Sequence, residues 1–376
     1  RIACIDQIDN LIELTPEKCD PTGHPGPDVS IGSRSVGNNG PHYVIGYPSS
    51  NINNNGIVFQ KNNRKLRSAD GDENLLVFLH GTATQPSNYS CLLKSLSSVV
   101  TPTIGLTYGF LGGTNGGGDM YRNTACGGSE VNTVECLAEQ HMDAIYGGQY
   151  GKNINAWGRV DPLDSISGRL GLLLKRLDNT YPSRGWDKFY YNNNNMPSIT
   201  ARNNDRELPK PRWEKMIIVG HSQGASHAAY LAQTKILPGA AFLSGPQDEC
   251  QNCSPNTRFW IDEEFLTKEI TAFAYGDEEG EPTLPIIEDN WKRMNVWSRP
   301  LRVINFLDNN GGYDVCKYPI VSTIPPSDTS LCTRRGHCSV AADQSTPYLN
   351  TTCGEIIPLY SLGVWTDLAR VGQCDR

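Results

Sequence analysis

The sequence lacks the features expected of a nucleic-acid-binding or membrane-spanning protein. It has no run of Lys or Arg longer than two residues, and its formal net charge at pH 7 is -7. Nucleic acids and anionic membranes bind basic surfaces, so we expect neither as a partner. No stretch approaches the roughly 20 apolar residues of a membrane-spanning helix, so we expect no membrane span.

Metal-binding motifs are also scarce. No H-E-x-x-H motif occurs, and Cys250 and Cys253, which have the spacing of zinc ligands, lack a second C-x-x-C or H-x-x-x-H to complete a site. We therefore predict that the protein uses no metal and no cofactor. A metal-dependent hydrolase is accordingly the least favoured of the functions considered.

Cysteine, by contrast, is abundant. The chain of 376 residues contains 12 cysteines, whose even number and wide scatter are typical of a disulfide network formed in an oxidising compartment. Three N-x-S/T sequences make Asn88, Asn252 and Asn350 candidate N-glycan sites. The chain begins with Arg1, which is consistent with a signal peptide that has been removed. These features predict a secreted or extracellular protein with several disulfides.

The pattern of apolar runs predicts an α/β fold with a mostly parallel central sheet flanked by helices. The expected strands of this sheet are residues 75–79, 103–108, 216–219, 240–244, 270–275 and 301–307. One helix is especially clear, because apolar residues recur at helical spacing from Leu163 to Leu177. We expect Asp161 to cap the beginning of this helix.

The length of the chain fits a single domain covering residues 1–376. Residues 1–40 are predicted to be an irregular N-terminal extension, since Pro, Gly and Asn are frequent there. Residues 109–160 contain clustered glycines and two cysteines, and we predict a loop insertion that could act as a lid.

The motif that carries chemistry is G-x-S-x-G, at Gly220–Gly224. It lies between the expected strand 216–219 and a helix-forming stretch, Ala225–Thr234, which is the context of a catalytic serine on a sharp turn. Side chains at the two glycines would collide with the neighbouring helix and strand. The motif predicts that Ser222 is a nucleophile, and the alternative is a tight turn with an idle serine.

A serine nucleophile needs a histidine base and an acid that orients the histidine. In this motif's context the chain order is Ser, then Asp or Glu, then His, which leaves only His337 of the seven histidines. The acid is expected in the loop after strand 270–275, where Asp277 comes first. The remaining alternatives for the acid are Glu278, Glu279, Asp248 and Asp308.

The reaction also needs two N–H groups to bind the negative oxygen of the tetrahedral intermediate. One should be the backbone N–H of Gln223, directly after the nucleophile. The other should come from the loop after strand 75–79, where Thr82 is the first choice and Gly81 the second.

These stretches resemble the α/β-hydrolase superfamily, and in particular a poorly characterised branch of secreted microbial hydrolases. Four segments carry the resemblance: residues 78–82, 161–170, 220–232 and 337–347. The resemblance implies an α/β-hydrolase fold, a triad of Ser222, Asp277 and His337, and a structural role for His227. It implies no particular substrate.

Two functions therefore compete. The first is a secreted serine hydrolase that cleaves a small-molecule or polymer carboxylic ester through an acyl-enzyme. The second is a catalytically idle protein of the same fold that serves as an extracellular binding or structural component. The presence of both Ser222 and His337 favours the enzyme, because scaffolds commonly lose one of the two.

Overall fold

The computed structural model describes residues 11–14, 42–46, 73–82, 84–100, 102–108, 130–147, 160, 162–191, 208–249, 258–276, 283–296, 302–304, 319–327, 337–350 and 356–370. The expected acid Asp277 lies outside these residues, as do Asn252, Cys250 and Cys253. In the described part of the chain, no helix is long and apolar enough to cross a bilayer.

The described part contains thirteen strands and six α-helices. The strands are β1 (Leu11–Leu14), β2 (His42–Ile45), β3 (Leu75–Leu79), β4 (Thr103–Leu106), β5 (Tyr190–Tyr191), β6 (Lys210–Pro211), β7 (Met216–His221), β8 (Gly239–Leu243), β9 (Ile270–Tyr275), β10 (Arg302–Ile304), β11 (Ile320–Ser322), β12 (Tyr348–Asn350) and β13 (Ile356–Pro358). The helices are α1 (Ser90–Ser97), α2 (Glu130–Tyr146), α3 (Ile166–Thr180), α4 (Gln223–Thr234), α5 (Thr283–Arg293) and α6 (Val364–Leu368).

Nine of the described strands form one sheet in the order β1-β2-β4-β3-β7-β8-β9-β11-β10. The seven neighbouring strands β4-β3-β7-β8-β9-β11-β10 run parallel to one another. At the β4 edge, β2 pairs antiparallel with β4, and β1 pairs antiparallel with β2. This arrangement confirms the predicted α/β class with a mostly parallel sheet. β7 lies at the centre, so the residues that follow it reach the middle of the sheet's carboxyl edge, where ligands bind in such sheets.

The sheet is covered on both faces, as the continuous apolar runs of its central strands require. Successive residues of β3 alternate between two apolar clusters: Leu75, Val77 and Leu79 belong to one, and Leu76 and Phe78 to the other. The first cluster includes residues of α2, α3, α4 and α5, and the second includes residues of α1 and α6. The helices therefore form a layer on each side of the sheet.

Helix α3 begins later than its sequence predicted. Residues 162–164 form a turn, and Ser165 caps the helix by accepting a hydrogen bond at 2.9 Å from the Gly168 N–H. The same Ser165 hydroxyl donates to the Pro162 carbonyl at 2.7 Å, which holds the turn. The expected cap at Asp161 is therefore wrong, because a serine four residues later satisfies the free N–H of the first helical turn.

Three elements differ from the sequence-based expectations. β1 lies within the segment expected to be irregular and pairs antiparallel with β2. α2 lies within the 109–160 segment and buries Leu137 and Ile145 in the core. β11, with only three residues, had no detectable pattern, yet it separates β9 from β10 in the sheet.

Cysteines also contribute covalent links. Cys91, Cys136 and Cys338 are disulfide-bonded. Cys91 belongs to α1 and Cys338 follows the expected base His337, and both lie in the apolar cluster that contains α1 and α6. The pairing of all twelve cysteines stays a prediction.

The close contacts of α4 with β7 and with β3 generate the first prediction. A Cβ at Gly220 would lie 2.1 Å from the Gly224 carbonyl oxygen, and one at Gly224 would lie 2.1 Å from the Leu79 carbonyl oxygen. Because backbone cannot move aside as a side chain can, Gly220→Ala and Gly224→Ala should each lower the free energy of unfolding by about 3 kcal/mol. Urea denaturation would measure the loss.

Gly105→Ala is the matched control for this prediction. A Cβ at Gly105 meets only side-chain atoms, of Leu93 and Pro86, at 2.9 Å. Since 2.9 Å requires a much smaller shift of the neighbouring atoms than 2.1 Å, this variant should lose clearly less stability than the other two. An equal loss in all three variants would contradict special backbone contacts of α4 with β7 and β3.

Candidate functional site

The chain bends sharply at Ser222, between the end of β7 and the start of α4. Ser222 has φ 56° and ψ -118°, a conformation that favours glycine. Its backbone N–H donates to the Leu243 carbonyl of β8 at 2.8 Å, which holds the bend in place. Strained residues of this kind persist where the surrounding structure fixes them and cluster at functional sites. The predicted strand, turn and helix are therefore present around Ser222.

The two residues predicted to bind the oxyanion lie against each other beside this bend. The Thr82 hydroxyl donates a hydrogen bond at 2.8 Å to the side-chain oxygen Oε1 of Gln223. Gln223 is the first residue of α4, where backbone N–H groups have no partner within the helix. In the described part of the chain, no carbonyl accepts from the backbone N–H of Thr82 or Gln223. Both N–H groups can therefore serve a ligand.

The predicted base, His337, is buried and lies beside the residue that precedes Ser222. Its ring centroid is 5.1 Å from that of His221, the residue that precedes Ser222. The Gln247 amide nitrogen lies 3.3 Å from both ring nitrogens of His337. The ring carbon Cε1 lies between these two nitrogens. A nitrogen atom in the ring plane at equal distance from both would therefore collide with Cε1. Gln247 therefore packs against the face of the His337 ring.

Sequence reasoning missed the part that His221 plays in placing this base. Its Nε2 lies 3.1 Å from the His337 carbonyl oxygen, and its Nδ1 lies 3.0 Å from the Tyr89 hydroxyl. Burial lowers the pKa of His221 to about 3, so the ring is neutral near pH 7 and donates through one nitrogen. Because a carbonyl only accepts, Nε2–H donates to His337 and Nδ1 accepts from Tyr89.

Other buried histidines also surround the site. All six histidines in the described part of the chain are buried: His42, His80, His141, His221, His227 and His337. Burial lowers the pKa of His42 to about 3 and that of His80 to about 4, and it lowers the pKa of His227 well below its usual range. These rings are neutral near pH 7, as structural histidines are.

The turn that carries His337 is fastened to the helices α1 and α6. Asp343 accepts a hydrogen bond from the Cys91 N–H at 2.9 Å, and its own N–H donates to the Asn88 carbonyl at 2.8 Å. The Trp365 indole N–H donates to the Val340 carbonyl at 2.8 Å. His337 therefore lies on a segment that is anchored to α1 and α6.

Of the residues predicted as candidates for the acid, only Asp248 lies in the described part of the chain. β9 ends at Tyr275, as expected, and the loop that begins with Asp277 lies outside the described residues, as do Glu278, Glu279 and Asp308. Asp248 bonds to His141 Nε2 at 2.7 Å and to the Trp260 indole N–H at 2.6 Å, and no described contact joins it to His337. The described contacts of Asp248 therefore join one of its carboxylate oxygens to His141, and the identity of the acid stays a prediction.

Within the described residues, no group of three or more His, Cys, Asp or Glu side chains could hold a metal ion. In comparison with known proteins, no family model matches the chain, and no curated protein matches it either.

The strained bend generates the second prediction. The free energy of unfolding of Ser222→Gly should be about 1 kcal/mol higher than that of Ser222→Ala, because only glycine adopts this backbone conformation without strain. Both variants lack the hydroxyl, so the difference isolates the backbone. Urea denaturation of the two variants at one pH measures it, and equal stabilities would mean that Ser222 is not strained.

The anchor of the His337 turn generates the third prediction. Burial raises the pKa of Asp343 to about 7, against about 3.9 for an unfolded aspartate. Between these values the folded protein keeps a proton that the unfolded chain has lost, so the stabilisation is present at low pH and lost as pH rises. From pH 5 to pH 7 the wild type should lose about 2 kcal/mol relative to Asp343→Asn.

Asp343→Asn keeps an acceptor for the Cys91 N–H, so it is a conservative replacement. Urea denaturation of both proteins at pH 5, 6 and 7 gives the difference directly. A difference that stays constant with pH would contradict the raised pKa of Asp343.

Proposed function

We propose that the protein is a serine hydrolase that cleaves carboxylic esters, with Ser222 as its nucleophile. The observation that carries the proposal is the strained Ser222 at a strand-to-helix bend, with Thr82 and Gln223 bonded to each other beside it. The proposal is supported further by the backbone N–H groups of Thr82 and Gln223, which have no backbone acceptor among the described residues. Such a site suits attack on a carbonyl carbon and stabilisation of the resulting oxyanion.

In the proposed mechanism, Ser222 Oγ attacks the ester carbonyl while His337 takes its proton. The backbone N–H groups of Gln223 and Thr82 bind the negative oxygen of the tetrahedral intermediate. Collapse of this intermediate expels the alcohol, which receives the proton from His337. A water molecule then hydrolyses the acyl-enzyme with His337 again acting as base, and Asp277 orients the imidazole throughout.

Several further features fit an α/β-hydrolase that works outside the cell. The nucleophile follows the central strand of a mostly parallel sheet, and the described histidine base comes later in the chain than the nucleophile. We propose that the 12 cysteines form a disulfide network and that Asn88, Asn252 and Asn350 carry N-glycans. Small-molecule and polymer esters are both candidate substrates.

A fluorophosphonate probe tests this function, and it is our fourth prediction. The probe should label the wild type and Ser98→Ala, a variant at an exposed serine of the same protein, but not Ser222→Ala. In parallel, Ser222→Ala and His337→Asn should lower kcat/KM for p-nitrophenyl esters by about a thousandfold or more.

The outcome separates the two competing functions. Absence of label on folded wild type, under conditions that label a control esterase, would remove the enzyme proposal. The idle extracellular binding or structural protein would then be the better account. Labelling that persists in Ser222→Ala would instead assign the nucleophile to another residue.

A further inference from the structure

A continuous chain of hydrogen bonds leads from the candidate oxyanion site into the protein interior. Beyond the Thr82–Gln223 bond, the Gln223 amide nitrogen lies 3.2 Å from His227 Nε2, and His227 Nδ1 lies 3.0 Å from His141 Nδ1. His141 Nε2 in turn lies 2.7 Å from Asp248 Oδ2. All members except the half-buried Thr82 are buried. The chain joins the loop after β3, helix α4, helix α2 and the loop after β8.

The direction of every proton in this chain follows from simple bonding rules. The Gln223 amide nitrogen only donates, so His227 Nε2 must accept, and a neutral His227 then carries its proton on Nδ1. His141 Nδ1 must therefore accept from His227, which places the His141 proton on Nε2. That proton faces Asp248, which also accepts from the Trp260 indole. The same proton positions follow whether the hydrogen bonds are traced from Thr82 or from Asp248.

The direction of the chain determines what Thr82 can do. Its hydroxyl proton points to Gln223 Oε1, so Thr82 can meet an oxyanion only through its backbone N–H. The preceding residue, Gly81, is fixed as well, because its N–H donates to the Tyr89 hydroxyl at 3.2 Å. The loop after β3 is therefore held at two successive residues.

We propose that this chain, referred to below as the Thr82–Asp248 chain, positions the two oxyanion-binding N–H groups relative to each other. Gln223 supplies one backbone N–H, and its side-chain oxygen accepts a hydrogen bond from the Thr82 hydroxyl. Thr82 supplies the other backbone N–H. His227, His141 and Asp248 keep the Gln223 amide in the orientation that accepts from Thr82. They act as positioning residues, and the inference rests on the proposed hydrolase function.

The surroundings of His141 fit this role. Its ring stacks on that of Tyr230 at a centroid distance of 5.4 Å and meets the Trp260 ring edge-on at 5.1 Å. Asn290 of α5 donates to the Asp248 carbonyl at 2.9 Å, which fixes the far end of the chain. In such a buried network an unpaired group costs about 1–3 kcal/mol, so the members hold one another in a single arrangement.

The test, and the fifth prediction, compares Thr82→Val with Thr82→Ser. Valine has the shape of threonine but cannot donate to Gln223, whereas serine can. Thr82→Val should lower kcat for an ester by about tenfold or more and leave KM within about twofold, because oxyanion contacts form in the transition state. Thr82→Ser should keep kcat within about threefold of wild type.

Two results would overturn the positioning role while the hydrolase function stands. One is a Thr82→Val variant with wild-type kcat, and the other is an equal loss of kcat in Thr82→Val and Thr82→Ser. A wild type without activity toward any ester or label by fluorophosphonate would instead refute the hydrolase function and the positioning role together. The two failures are therefore distinguishable.

A second measurement tests the Thr82–Asp248 chain without an activity assay. Nitrogen-15 NMR of the resting wild type should find the proton of His227 on Nδ1 and that of His141 on Nε2. The opposite protonation of either ring would overturn the inferred direction of the chain, because the Gln223 amide would then have to face the other way.

Discussion

The close approach of α4 to the end of β3 is the constraint on which the candidate site depends. Gly224 lies so near the Leu79 carbonyl that a side chain has no room there. The chain must therefore turn within one residue between β7 and the helix, and Ser222 takes a backbone conformation that other residues avoid. The same approach puts the side chain of Gln223 next to Thr82. One backbone contact thus sets the bend, the hydroxyl and the nearby N–H groups together.

Local patterns in the sequence were sufficient for the fold class and for the bend. The apolar runs at 75–79, 216–219 and 270–275 correspond to β3, β7 and β9, because a strand buried on both faces leaves a continuous apolar signature. β11 escaped prediction because three residues are too few for any period. Asp161 was mistaken for a cap because several polar residues precede α3, and only the structure distinguishes Ser165 among them.

The side-chain contacts of the site were predictable only in part. Chain order singled out His337, and the structure brings its ring against that of His221. The contacts of His141 with Asp248 and of Gln247 with His337 join residues about 100 positions apart in the sequence, 107 and 90 respectively. Such pairs depend on how α2 and the loop after β8 pack, which no local pattern records. Asp277 stays a prediction made from its place after β9.

The burial of several histidine rings has a consequence for the stability of the protein in acid. Burial lowers the pKa of His42, His80, His221 and His227, so each ring stabilises the folded protein above its unfolded pKa of about 6.5. As the pH falls from about 6.5 toward 3, the unfolded chain binds protons at these rings and the folded protein does not. The free energy of unfolding therefore decreases. Because His80 and His221 lie next to the Ser222 bend, part of the stability that the protein loses in acid comes from the residues around the candidate site.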